Sequence, residues 1–139
     1  MKVIVEADGG SRGNPGPAGF GSVVWSEDHS TVLAEVNGAI GTATNNVAEY
    51  RALLLGAACA HELGATEVDI VGDSELIAKQ VKGVYKVKHA GLRELHAEAL
   101  AALRAFDRWS IRTVPREQNA EADALVNDAL DRAGADGEG

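Results

Sequence analysis

One cysteine, Cys59, stands in a chain of 139 residues. A lone thiol excludes an internal disulfide framework and a cysteine-based metal cluster. Cys59 sits in an Ala-rich helical run, where a small buried thiol is the plain reading. The four histidines (His29, His61, His89 and His96) are scattered and show no metal-binding spacing. No stretch approaches the ~20 apolar residues that span a bilayer. The first ten residues, "MKVIVEADGG", hold no long apolar run and no small-residue cleavage site, so the expectation is a cytoplasmic protein with no membrane partner. Positive charge is also scarce: 13 Lys and Arg against 21 Asp and Glu leave a net charge of -8. Taken as an average, that disfavours nucleic acid and anionic membranes as partners.

The average conceals local order. Lys79, Lys82, Lys86, Lys88 and Arg93 form a basic run without an intervening acid, whereas from Glu117 onward only Arg132 offsets the acids. A chain of this length, 45% hydrophobic and 24% charged, supports one packed domain.

Periodicity predicts a βββαβααβα order. "MKVIVEAD", "FGSVVWS" and "TVLAEVNGAIG" read as three sequential antiparallel strands, with a Gly/Pro-dense turn after the first. Asn46 to Leu63 reads as a helix stopped at Gly64, and Asn46 followed by Glu49 fits a capping box. "EVDIVGD" is a fourth strand, "SELIAKQVKG" a short helix, "GLRELHAEALAALRAF" a long one and "WSIRTVP" a fifth strand. A last helix is expected from about Gln118 to Ala133, on the stripe Ala122, Leu125, Val126, Ala129, Leu130 and Ala133. Helical crossovers make strands four and five parallel to strand one. The expected fold is α/β: a mixed five-stranded sheet flanked by helices, with residues 1–134 as the domain and 135–139 as a flexible tail or the start of a linker.

Ligand chemistry in such sheets gathers beyond the carboxyl ends of parallel strands. Asp8 ends strand one, Asp73 ends strand four, Glu49 opens the first long helix and Asp123 opens the last. Singly, each has an ordinary explanation as a turn, a helix cap or a first-turn acid. Together they fall at one sheet edge. Four acids there repel or protonate unless cations join them. An all-oxygen set without Cys or His favours Mg²⁺ or Mn²⁺, and a pair of such ions suits in-line phosphoryl displacement.

The blocks "DGGSRGNPGPAGFG", "TNNVAEYRALLLGA", "GDSELIAKQVKG" and "VPREQNAEADALVNDAL", in this order, resemble type 1 ribonuclease H, in the compact form that lacks an inserted basic protrusion. The resemblance runs from about Val3 to Ala133. It implies the ribonuclease H-like fold and endonucleolytic hydrolysis of the RNA strand of RNA–DNA hybrids, with 5′-phosphate and 3′-hydroxyl products. Asp8, Glu49, Asp73 and Asp123 fall on the metal-binding acids, which hold two ions when substrate is bound. Asn14, Asn45 and Asn46 fall on positions that read the shallow minor groove, where an amide can both donate to and accept from a 2′-hydroxyl. Gly9 permits close backbone approach, and Ser74 is grouped with the substrate contacts. Arg116 stands in the loop before Asp123. An always-charged guanidinium cannot shuttle protons, so it is assigned to phosphate or product handling. Asn119 is expected to orient that loop and to support substrate and metal binding. Lys86 and Lys88, with Tyr85, partly replace the missing protrusion.

Double-stranded RNA and RNA–DNA junctions stay open as further substrates, and a C-terminal phosphatase-like domain as a neighbour in a longer protein. A hybrid-binding module without catalysis and a DNA-acting nuclease of the same fold are the alternatives.

Overall fold

Strand β1 (Lys2–Ser11) takes the centre of the sheet because both of its faces are buried. Val3 and Val5 point to one side with no exposed surface; Glu6 and Asp8 are buried on the other. In this computed structural model, which describes residues 1–138, β2 (Gly16–Ser26) and β3 (Val32–Ala43) continue the sheet antiparallel on one flank. On the other flank, β4 (Glu67–Gly72) and β5 (Arg108–Thr113) run parallel to β1 and give the order β3-β2-β1-β4-β5. The expected mixed five-stranded sheet and its strand directions are the observed ones.

Helices α1 (Asn45–Glu62), α2 (Glu75–Val81) and α3 (Ala90–Arg104) are the crossovers that parallel pairing demands. The main core lies beneath α1 and α3, where Leu53, Ala57, Ile70, Leu95 and Leu103 pack against Val3 and Val5. Burying one such leucine stabilises the fold by about 1.5–3 kcal/mol. Tyr50, fully buried on α1, donates its hydroxyl to Gln80 Oε1 on α2 at 2.7 Å, so this polar group within the core is satisfied.

Helix α4 (Ala120–Glu138) lies across the opposite face, on β1, β2 and β3. It runs past Ala133, where the apolar stripe predicted its end; of the expected tail, Gly139 lies outside the described residues. No helix among the described residues is long and apolar enough to cross a membrane.

Two boundaries differ from expectation. The cap of α1 is Thr44, whose side chain accepts from Val47 N at 3.3 Å. Asn46 and Glu49 therefore form no capping box, and Glu49 lies one turn inside the helix, free for other work. Strand β1 also continues through Gly9 and Gly10 instead of turning at Asp8. Its parallel pairing with β4 ends at Glu6↔Val71, while its antiparallel pairing with β2 continues to Ser11↔Ala18. Asp8 thus stands just beyond the point where β1 and β4 part, while β4 stays paired with β5 to Gly72↔Thr113.

Candidate active site

Where β1 and β4 part there is a cleft of about 380 Å³ at the end of the sheet, and Asp8, Glu49, Asp73 and Asp123 all line it. Each comes from a different element. Asp8 lies on β1 and Glu49 on the inner side of α1. Asp73 immediately follows β4, and Asp123 sits in the first turn of α4. A void of about 30 Å³ behind Glu49 and Asp73, walled partly by Leu53, Ile70 and Ile77, gives the cleft an apolar back.

Their proximity is visible in their proton affinities. Burial pushes Asp8 up to about 8, and the charges of Asp73, Asp123 and Glu49 add to the shift, together with a hydrogen bond to Asp123. Burial likewise pushes Glu49 up to about 7; a hydrogen bond from Ser74 opposes this and the charge of Asp73 reinforces it. Glu49 Oε2 is buried without a hydrogen-bond partner. A buried carboxylate oxygen left unpaired is costly unless something positive meets it.

Hard oxygen donors with an orphaned buried oxygen fit Mg²⁺ or Mn²⁺. Among the described residues, no three His, Cys, Asp or Glu side chains already stand close enough together to hold a metal ion.

Two neighbours complete the carboxylate of Asp123. Arg116 Nη2 approaches its Oδ1 at 3.4 Å, and Asn127 Nδ2 approaches its Oδ2 at 3.4 Å. Arg116 is 77% exposed, so this long contact is weak and screened. Its guanidinium is free to leave for a phosphate. Asn127 was absent from the predicted set, although its i,i+4 spacing from Asp123 on a helix carries the signal.

The asparagines prove to be partly committed already. Asn45 Oδ1 accepts from Ser11 N at 2.8 Å, and Asn14 Oδ1 accepts from Asn45 N at 3.2 Å. The amide carbonyls thus pin the β1–β2 turn to the mouth of α1. Each of these two carbonyls has one lone pair occupied, so for Asn45 and Asn14 the NH₂ group is the freer side of the amide. Asn45 lines the cleft. Asn46 is half-buried on the same first turn, and Asn14 is exposed in the facing turn.

Three other assignments change or gain a structural reason. Asn119 is fully buried and donates to Ala7 O at 3.0 Å. It therefore makes no substrate contact in this conformation and instead ties the short 3-10 turn Arg116–Asn119 to the strand that carries Asp8. Ser74 caps α2 by accepting from Ile77 N at 3.2 Å and, close to Glu49, holds down the proton affinity that burial raises. Gly9 lines the cleft, but it also meets α1 so closely that an added Cβ would lie 2.2 Å from Ala48 C. Lys86 and Lys88 are exposed in the α2–α3 loop, outside the acid-lined cleft. Arg93 holds that loop by donating to Val87 O and Lys88 O.

Mixed sheet, covering helices and a four-carboxylate edge define a nuclease-like α/β domain. Residues 6–129 match the family described as reverse transcriptase-like. The chain is 57% identical over 133 residues to a bifunctional protein of Mycobacterium tuberculosis, covering 96% of this chain and 36% of that relative. The solved N-terminal RNase H domain of that protein superposes with a TM-score of 0.92 at 56% identity, covering 94% of this chain and 99% of the solved one. LC11-RNase H1, solved in complex with an RNA/DNA hybrid, superposes with a TM-score of 0.89 at 43% identity, over 94% of this chain and 98% of that one. This chain belongs to the type 1 ribonuclease H family. It spans about a third of the length of the curated relatives it matches first.

Proposed function

We propose that this chain is an endonuclease that hydrolyses the RNA strand of RNA–DNA hybrids, with Mg²⁺ or Mn²⁺ as cofactor. The observation that carries the reading is the meeting of Asp8, Glu49, Asp73 and Asp123 in one cleft beside the Asn45 amide. The solved hybrid complex of LC11-RNase H1, 43% identical to this chain, supports the substrate.

Asp8, Glu49, Asp73 and Asp123 would hold two ions. When bound, the ions activate a water and neutralise charge on the departing 3′ oxygen. Products would carry 5′-phosphate and 3′-hydroxyl ends. Asn119 and Ser74 position the acids from behind. Arg116 leaves Asp123 to meet a phosphate oxygen. Asn45, with Asn14 and Asn46, donates into the minor groove of the RNA strand, where a 2′-hydroxyl oxygen is the acceptor that DNA lacks. Lys86 and Lys88 add salt-sensitive contacts to the DNA strand.

The same proposal keeps the protein in the cytoplasm. Residues 1–134 are its nuclease domain and 135–139 a tail or the start of a linker. The name of the bifunctional relative, and the third of it that this chain matches, support a second domain in a longer protein; a phosphatase-like one is our proposal.

The deciding assay incubates the purified chain with end-labelled hybrid, duplex DNA, duplex RNA and junction substrates, with and without Mg²⁺ or Mn²⁺. Metal-dependent cuts confined to RNA within hybrid are expected. Binding without cleavage would indicate a recognition module, and cleavage of duplex DNA a different nuclease. Activity on duplex RNA or junctions would widen the substrate range.

The groove-reading role gives a second expectation. Replacing Asn45 and Asn46 together by Ala should cut the preference for hybrid over duplex DNA by about tenfold, from the loss of one or two hydrogen bonds of about 0.5–1.5 kcal/mol each. Competition binding measures it, and an unchanged preference would return Asn45 to holding the turn and leave Asn46 without a groove-reading role.

A further inference from the structure

We infer that Arg12 binds a backbone phosphate of the RNA strand, a few nucleotides from the cleaved bond; the inference rests on the hybrid-cleavage reading above. Arg12 sits in the β1–β2 turn, is half exposed and lines the same cleft as the four acids. Its Nη2 donates to Asp131 Oδ1 of α4 at 2.6 Å. That is one of five N–H donors on a guanidinium, and the other four make no hydrogen bond among the described residues. Asp131 is 70% exposed, so a phosphate can displace it at little cost.

The turn does not need this ion pair to hold its shape. Arg12 N already donates to Pro17 O at 2.8 Å, Ser11 N to Asn45 Oδ1, and Asn45 N to Asn14 Oδ1. The backbone is fixed, and the side chain projects from a preorganised base. Binding there needs no ordering of the turn backbone.

Helix α4 then acts as a ruler. Asp123 meets Arg116, and Asp131, eight residues further on, meets Arg12. Eight helical residues span about 12 Å. One guanidinium therefore flanks each end of an otherwise acidic cleft. Four carboxylates would repel a polyphosphate strand on either side of the metal site, and these two cations offset that repulsion where it is needed. Asn14 and Asn45, the proposed readers of ribose hydroxyls, lie on the Arg12 side. The strand that meets Arg12 is therefore the RNA strand.

The test measures hybrid binding by fluorescence anisotropy across a salt series, in full-length protein carrying Asp73→Asn so that substrate stays intact. Adding Arg12→Ala should weaken binding about 3- to 10-fold at low salt and lower the log–log salt slope by nearly one. In the same background, Asp131→Asn should leave affinity unchanged or raise it, because it releases the guanidinium. If Arg12→Ala changes neither affinity nor slope, the contact does not exist. If Asp131→Asn loses as much as Arg12→Ala, the pair is a staple and the inference fails. If the Arg12-containing protein does not bind hybrid at all, the functional reading fails, and this contact with it.

Discussion

Asp8→Asn is expected to lower hybrid cleavage by at least about 10³-fold and yet to make the metal-free protein melt higher at pH 8. Both effects come from one placement. Asp8 is 8% exposed, faces three other acids and holds its proton up to about 8. An unfolded aspartate ionises near 3.9. The folded state therefore binds this proton more tightly than the unfolded state. Its contribution to stability is fully present below pH ~4 and is lost as pH rises through about 8. Asn keeps the shape of the neutral acid and never ionises. Wild type and variant should have similar stability at pH 4. At pH 8 the variant should gain about 1–3 kcal/mol, a rise in melting temperature of roughly 5 °C.

Mn²⁺ should reverse the ranking by stabilising only the protein with an intact carboxylate set. Thermal unfolding at pH 4 and pH 8, with and without Mn²⁺, separates the cases. A variant that loses activity without gaining metal-free stability at pH 8 would mean that Asp8 is not repelled as its surroundings require.

Asp73 and Asp123 were legible because each falls at an element boundary, and boundaries are written in local sequence; Asp8 and Glu49 lie inside β1 and α1, and it was the joint fall of all four acids at one end of the sheet that made them legible. Asp73 follows a strand of β-branched residues, and Asp123 opens a helix with a clean apolar stripe. Other features depend on who else arrives. Local sequence puts the cap at Asn46; in the structure Asn45, which accepts from Ser11 N and donates to Asn14 Oδ1, is already the first helical residue and Thr44 is the cap. Asn119 reads as a polar loop residue, which the usual rule places at the surface. Its burial goes with the carbonyl of Ala7, 112 residues away, which needs a donor once β1 has parted from β4. Arg12 was hidden in a Gly-rich turn because its significance comes from α4, 119 residues later.

Gly9→Ala and Gly10→Ala should have opposite outcomes, though both add one methyl to adjacent positions of the same strand. At Gly9 the new Cβ would lie 2.2 Å from Ala48 C and 2.4 Å from Glu49 N. Both are backbone atoms of α1, so no rotamer change relieves the clash. Strand and helix must separate, and with them Asp8 from Glu49. A loss of about 3 kcal/mol or more is expected, with melting lowered by roughly 10 °C. Cleavage should fall by orders of magnitude even at temperatures where the variant is folded, since metal sites tolerate misplacement of only about 0.5 Å. At Gly10 the Cβ would rest 3.8 Å from Val126 Cγ1, ordinary van der Waals contact. That change should cost under about 1 kcal/mol, and it leaves the seam between β1 and α1 intact. Melting curves and single-turnover cleavage of the two variants side by side read out the difference. Equal behaviour would mean that the close approach of β1 to α1 does not set the distance between the first two carboxylates.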